Sequence, residues 1–302
     1  MSYVFQDGFP SDLEAKRGIL EVGRRMYDKN FVASNDGNIS CKVSDHTLWC
    51  TPTGVSKGFM TDEMLVLMDL DGNVLRGTWK PSSEMKMHLR VYKENPSVMA
   101  VVHAHPPVST SFAIAGIPLN RAILTEAVMG IGEIPIAPYA MPGTQEVPDS
   151  IAPFVNTHNG CLLANHGALT WGSSVMEAWM RMESVEYYAT VSMYTGNIIG
   201  QANELTCEQV DRLIERRTNS GIMTGGRPHC RDCEEKDTCK CSTCRSDKAA
   251  SCNGSCGSSA EAQNSSVAVA EPMRTAACSL EDRREMEEVA AIVRKVLAEK
   301  YR

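Results

Sequence analysis

Residues 81–107 read P-S-S-E-M-K-M-H-L-R-V-Y-K-E-N-P-S-V-M-A-V-V-H-A-H-P-P. Glu84 follows Pro81-Ser82-Ser83 and stands in the first turn of an expected helix. The apolar run from Val98 to Val102 reads as a buried strand and ends in His103-Ala104-His105. Alternate residues of a strand point to one face, so these two imidazoles sit about 7 Å apart along the chain, at roughly 3.3 Å per residue, and can converge on one point. A lone histidine is most often a satisfied core or surface residue, and a carboxylate at a helix start is also what the helix dipole favours. A third histidine changes that balance. His166 ends a second apolar strand, Cys161 to Ala164, in Asn165-His166-Gly167, after which a helix is expected. Three imidazoles and a carboxylate, all at the ends of elements, are the ligand set of a catalytic divalent metal, with zinc the first choice.

Two glycine-bearing loops come earlier. Asn35-Asp36-Gly37-Asn38 is a turn signal before the strand Ile39 to Val43, and the strand Thr47 to Cys50 runs into Thr51-Pro52-Thr53-Gly54. On their own both loops read as plain turn chemistry. A helix is expected from Ser11 to about Lys29, with Ser11 and Glu14 in capping-box spacing and Leu13, Leu20 and Met26 or Tyr27 as its apolar positions. Asp71-Gly72 marks a hairpin turn, Ser109 to Ala115 and Val147 to Asn156 read as helices, and Ile117 to Gly143 reads as loop. Ser174 with Glu177 starts a long helix to about Tyr194, whose Trp179, Met182, Val185 and Tyr188 are core candidates.

Taken together, Gly37-Asn38-Ile39-Ser40, Thr51-Pro52-Thr53-Gly54, Ser82-Ser83-Glu84, His103-Ala104-His105, Ala137-Pro138-Tyr139-Ala140 with Gly143-Thr144, and Asn165-His166-Gly167 resemble, in this order, the class II aldolase/adducin superfamily. Within it the chain is most similar to the L-fuculose-1-phosphate aldolases, from about Gly8 to about Gly221. The resemblance implies a single three-layer α/β domain with a central, mostly antiparallel sheet flanked by helices. It implies one zinc per subunit on Glu84, His103, His105 and His166, and a substrate phosphate held by Gly37, Asn38, Thr53, Gly54, Ser82 and Ser83. Glycines that let backbone amides approach an anion, neutral hydroxyl and amide donors, and a helix start suit that role without a lysine. Nothing in the sequence says that the nearby Lys57 points inward.

The activity implied is retro-aldol cleavage between C3 and C4 of L-fuculose 1-phosphate or L-rhamnulose 1-phosphate, giving dihydroxyacetone phosphate and lactaldehyde. Zinc would polarise the carbonyl as a Lewis acid, with Glu84 doubling as general acid/base. One departure stands out. The family's aldolases use a tyrosine in the loop before the Ala-Pro-Tyr-Ala segment, and Asn120 to Val128 holds none, which leaves Glu126, a tyrosine from elsewhere, or a different aldehyde half. Ribulose-5-phosphate 4-epimerase, methylthioribulose-phosphate dehydratase and a non-catalytic adducin-like scaffold are the alternatives on the same architecture. A homotetramer with sites at subunit interfaces is expected from the family.

The chain has 302 residues, 43% hydrophobic and 22% charged, with a net charge of −7. Such a composition suits an ordinary globular protein and argues against a nucleic-acid partner. No segment has transmembrane length and the first residues lack signal-peptide character, so a cytoplasmic location and no membrane partner are expected. Three regions are expected: a catalytic domain over 1–224, a flexible linker over 225–278, and a terminal helix over 279–302. Seven of the twelve cysteines fall between Cys230 and Cys256. The pairs Cys230/Cys233 and Cys241/Cys244, beside His229, raise a second structural zinc or an iron–sulfur cluster against a plain reduced or disulfide-bonded tract. Residues 279–302 place Leu280, Met286, Val289, Ala290, Val293, Val296 and Leu297 near one helical face, with six acidic and six basic residues elsewhere. This segment resembles the encapsulation peptides that direct enzymes into bacterial microcompartments, so shell proteins are the partner it implies.

Overall fold

The computed structural model of the chain describes residues 8–231. The expected metal pair at Cys241/Cys244 and the helix over 279–302 lie outside the described residues. Those described form two units, residues up to Met193 together with 203–231, and the segment Tyr194–Ala202 with its π-helical turn Tyr194–Ile199.

Eight strands form one sheet in the order β4-β3-β2-β1-β5-β8-β7-β6. They are β1 (Asn38–Lys42), β2 (Thr47–Cys50), β3 (Val66–Asp69), β4 (Val74–Arg76), β5 (Ala100–Ala104), β6 (Ile136–Ala137), β7 (Gly160–Leu163) and β8 (Gly167–Gly172). Every pairing is antiparallel except β6 with β7. Helices α1 (Asp12–Asp28), α3 (Pro107–Ala115), α4 (Thr125–Gly130) and α6 (Val175–Met193) bury one face. Helices α2 (Met85–Glu94) and α5 (Glu146–Val155) bury the other, giving the three layers the motifs imply. Strand β5 shows how the sheet sorts its side chains, since Ala100, Val102 and Ala104 enter the first core while Val101 enters the second. His103, two residues on from Val101, therefore faces the α2 side.

Local signals account for most elements. The Ser11 hydroxyl accepts from the Glu14 amide at 3.3 Å and the Glu14 carboxylate accepts from the Ser11 amide at 2.9 Å, closing the capping box. The buried stripe of α1 is Ala15, Ile19, Val22 and Met26, however, and Leu13 and Tyr27 are exposed. Both helix-expected residues point away because the 100° step that buries Ile19 and Met26 turns them outward. Trp179, Met182, Val185 and Tyr188 of α6 are buried as expected.

The helix expected after His166 is instead β8. Gly167–Gly172 pairs with both β5 and β7 and is buried throughout. A central strand covered on both faces reads as a continuous apolar run, which periodicity alone does not separate from a buried helix. Helix α7 (Cys207–Asn219) starts on a second capping box, Thr206 with Gln209. Residues 225–231, whose composition reads as linker, are hydrogen bonded to the domain: the Glu133 amide donates to the Gly225 carbonyl at 2.8 Å and the Ala122 amide to that of His229 at 2.8 Å. Cys230 is joined to Cys207 in a disulfide, Cα–Cα 5.1 Å, so its thiolate is not available to a Cys230/Cys233 metal pair. Among the described residues no helix is long and apolar enough to cross a membrane.

Candidate metal centre and anion cleft

Three segments distant in sequence meet at one end of the sheet. His103 is the fourth residue of β5 and His105 follows just beyond that strand. His166 sits in the tight β7–β8 turn, where Asn165 takes a left-handed conformation (φ 58°) that asparagine tolerates better than most residues. Glu84 is the N-cap of α2. One ligand atom from each of the three histidines lies within 4.8 Å of the others. The Glu84 carboxylate completes the group, with Oε1 at 3.1 Å from His166 Nε2 and Oε2 at 3.6 Å from His103 Nε2.

The outer nitrogens set the tautomers. His103 Nδ1 donates to the Ala168 carbonyl at 2.9 Å, and His105 Nδ1 faces Asp36 Oδ2 at 3.5 Å. Each ring then carries its lone pair on Nε2, and the two Nε2 atoms are 3.1 Å apart. Lone pairs so close repel unless a cation lies between them, and carboxylate or carbonyl partners behind ligand histidines are the usual second layer of a metal site. Burial pushes His103 down to about 3, helped by His105 and His166 and opposed by Glu84, and it lowers His105 as well. Both stay neutral, the form that binds a metal. For Glu84 burial opposes ionisation, but His103, His166 and the Asn38 amide outweigh it and hold the carboxyl well below its usual range. The donor set of three imidazoles and a carboxylate fits a divalent metal such as zinc.

Close packing holds these segments together. A Cβ on Gly167 would lie 2.6 Å from the Ala104 carbonyl oxygen and 2.6 Å from His105 Cδ2, so the turn that carries His166 reaches the end of β5 only without a side chain there.

A cleft of about 280 Å³ opens beside the carboxylate, lined by Gly37, Asn38, Thr53, Ser82, Ser83 and Glu84 together with Lys57, His105 and His166. Gly54, expected in the phosphate cradle, is not among the lining residues; its side of the loop faces open space. The Thr53 amide donates to the Lys80 carbonyl at 2.9 Å, which leaves its hydroxyl as the donor toward the cleft. Asn38 is 1% exposed and its Nδ2 donates to Glu84 Oε2 at 2.5 Å, so its amide serves the carboxylate. Lys57, which the sequence left unplaced, is buried. Its Nζ donates to the carbonyls of Asn35 at 2.8 Å and Val55 at 2.7 Å, leaving a third proton. Burial lowers it to about 8, against the pull of Asp36 and Glu84. Glu126 is exposed on α4, and no tyrosine lines the cleft among the described residues.

The profile of the Class II Aldolase and Adducin N-terminal domain matches residues 17–193. The chain belongs to the class II aldolase and adducin family. It is a metal-dependent enzyme of the class II aldolase type, with the three-histidine site described here. Two kinds of relative are similar to it. The 3-oxo-tetronate 4-phosphate decarboxylase of Haemophilus influenzae is 33% identical over 180 residues, 58% of this chain and 85% of that protein. The L-fuculose phosphate aldolase of Methanococcus maripaludis is 32% identical over 179 residues, 59% of this chain and 96% of that protein. Two solved structures are similar as well. An L-fuculose 1-phosphate aldolase superposes with a TM-score of 0.64 at 27% identity, covering 70% of this chain and all of that one. YgbL from Klebsiella pneumoniae, a protein with aldolase, epimerase and decarboxylase as its candidate activities, gives 0.63 at 29% identity, covering 68% and 99%.

Proposed function

We propose that this class II aldolase-family enzyme cleaves a ketose 1-phosphate, L-fuculose 1-phosphate or L-rhamnulose 1-phosphate, to dihydroxyacetone phosphate and lactaldehyde. The observation that carries this reading is the meeting of Glu84 with His103, His105 and His166 at the floor of a cleft walled by Thr53, Ser82, Ser83 and Lys57. A bound zinc supplies Lewis-acid polarisation of the substrate carbonyl. Ser82, Ser83 and Thr53 bring hydroxyl donors and Lys57 a charged one to the substrate phosphate, while the backbone at Gly37 lies close to it. Glu84 carries the proton at the carbon freed by cleavage, since its Oε1 lies on the metal side and its Oε2 is held by Asn38.

A second reading has its own support. Decarboxylation of a 3-oxo acid phosphate leaves an electron pair beside a polarised carbonyl just as retro-aldol cleavage does, but loses carbon dioxide and needs no base for a substrate hydroxyl. The absence of a tyrosine from the cleft among the described residues, and the 33% identity to the H. influenzae decarboxylase, favour it. Incubation of the zinc-loaded enzyme with fuculose, rhamnulose and ribulose phosphates and a 3-oxo-tetronate 4-phosphate separates the readings. Dihydroxyacetone phosphate and lactaldehyde are expected. Carbon dioxide release from the 3-oxo acid alone replaces the aldolase reading, and an epimerised or dehydrated ketose with no fragments replaces both.

The quaternary and cellular parts of the reading go with it. A homotetramer would let a neighbouring subunit bring the tyrosine that the described residues do not place in this cleft. Residues 279–302 would dock on microcompartment shell proteins, and a fluorescent protein carrying them that stays diffuse in shell-producing cells removes that part.

A further inference from the structure

Behind Glu84, away from the cleft, α2 and β1 meet along two matched stripes. Glu84, His88 and Tyr92 follow at four-residue intervals, one turn of α2 apart, and face Asn38 and Ser40, two residues apart on β1. Asn38, Ser40, His88 and Tyr92 are each at most 2% exposed. Their polar atoms join in an unbroken series. Tyr92 Oη is 2.7 Å from Ser40 Oγ, which is 2.7 Å from His88 Nδ1. His88 Nε2 is 2.5 Å from Asn38 Oδ1, and Asn38 Nδ2 is 2.5 Å from Glu84 Oε2.

One anion decides the direction of every bond in the series. An ionised carboxylate only accepts, so Asn38 must present Nδ2 to Glu84 and Oδ1 to His88. His88 must then carry its proton on Nε2 and accept through Nδ1. Ser40 therefore donates to His88 and accepts from Tyr92. Burial, against the pull of Glu84, lowers His88 to about 3, which keeps the ring neutral as this arrangement requires. All donors point toward the carboxylate. An apolar side chain at 88 would leave Asn38 Oδ1 buried and unpaired, and the amide would lose the partner that holds it in place against Glu84.

We propose that His88 is a positioning residue: its Nε2–H locks the Asn38 amide so that Nδ2 ties down Glu84 Oε2 and fixes how the carboxylate faces the metal and the transferred proton. The inference rests on the acid/base reading of Glu84 for its kinetic part, and on Glu84 as a ligand for its metal part.

The test uses His88→Leu, His88→Gln, Asn38→Leu and the Asn38→Leu/His88→Leu double variant in the full chain, with kcat, KM and zinc affinity by competition with a chelator. His88→Leu is expected to lower kcat and zinc affinity each by roughly 10–100-fold, the usual effect of losing a partner behind a metal ligand, with KM within about twofold. His88→Gln, which can still donate to Asn38, should regain most of both. The double variant should be no worse than Asn38→Leu, because His88 acts only through that amide. A His88→Leu enzyme that loses thermal stability alone, or a double variant whose losses multiply, overturns the proposal. If His88→Leu does not fold, Ser40→Ala frees the ring to change tautomer and should lower both quantities by roughly 2–10-fold; no change in either overturns it. An active Glu84→Gln enzyme would instead remove the acid/base reading, while zinc affinity still judges the positioning.

Discussion

The imidazole cluster and the cleft wall share Glu84 but are built on different terms. On the metal side His103 is wholly buried, its Nδ1 is bonded to the Ala168 carbonyl, and His105 is backed by Asp36. On the wall Thr53 and Ser83 are exposed, and their hydroxyls turn freely, while Lys57 is buried and held by two carbonyls and Asn38 is buried and held by Glu84. The metal side is thus held in place, while the exposed hydroxyls of the cleft wall are left to adapt. Preorganised polar groups matter most where charge develops, and loose hydroxyls suffice where charge is only held.

That contrast predicts a ranking of effects. Glu84→Gln should lower kcat by roughly 10²–10⁴-fold with zinc still bound, the range that a positioned acid/base supplies. Metal analysis beside steady-state rates checks it, and a near-normal kcat would erase the distinction between the two sides. Lys57→Met should raise KM by roughly 10–100-fold, as expected for one charged hydrogen bond, with a smaller change in kcat. Ser83→Ala should raise KM by only about 2–10-fold, the range of a neutral hydrogen bond; a larger effect would mean the wall is as rigid as the metal side.

The pH dependence of Lys57 sharpens the comparison further, because two quantities move in opposite directions. Its folded-state value of about 8 lies below its ordinary 10.5. Anion binding needs the charged form, so kcat/KM should fall as pH rises through about 8, and Lys57→Met should lack that limb. Between about 8 and 10.5 the unfolded chain binds more protons than the folded one, so stability should gain from Lys57 as pH rises through this window. Denaturant titrations of both proteins at pH 7.5 and 9.5 measure that gain.

The metal side was legible in the sequence because strand alternation and element ends are written in residue spacing. His103, His105 and Glu84 follow from that spacing, and His166 from the apolar run before it. What followed His166 was not legible, since Ala168 to Trp171 are covered on both faces and show no period. Lys57 was hidden for another reason. It projects from a 3-10 turn (Lys57–Phe59) whose path depends on packing against α1 rather than on any local pattern. Asp36 looked like turn chemistry and is that as well. For α7 the Thr206 to Gln209 spacing was present in the sequence, but no clear apolar stripe accompanies it, and only Val210 and Arg217 of that helix are buried.

Gly167 has a consequence for ion choice. With no side chain at that position the β7–β8 turn rests against the end of β5, and the imidazoles of 103, 105 and 166 are drawn into a small ring. A methyl group would act as a wedge there, widening the ring and favouring a larger ion with longer bonds to nitrogen than the 2.0–2.1 Å typical of zinc, roughly. The spacing of the three imidazoles therefore depends on an atom the chain leaves out.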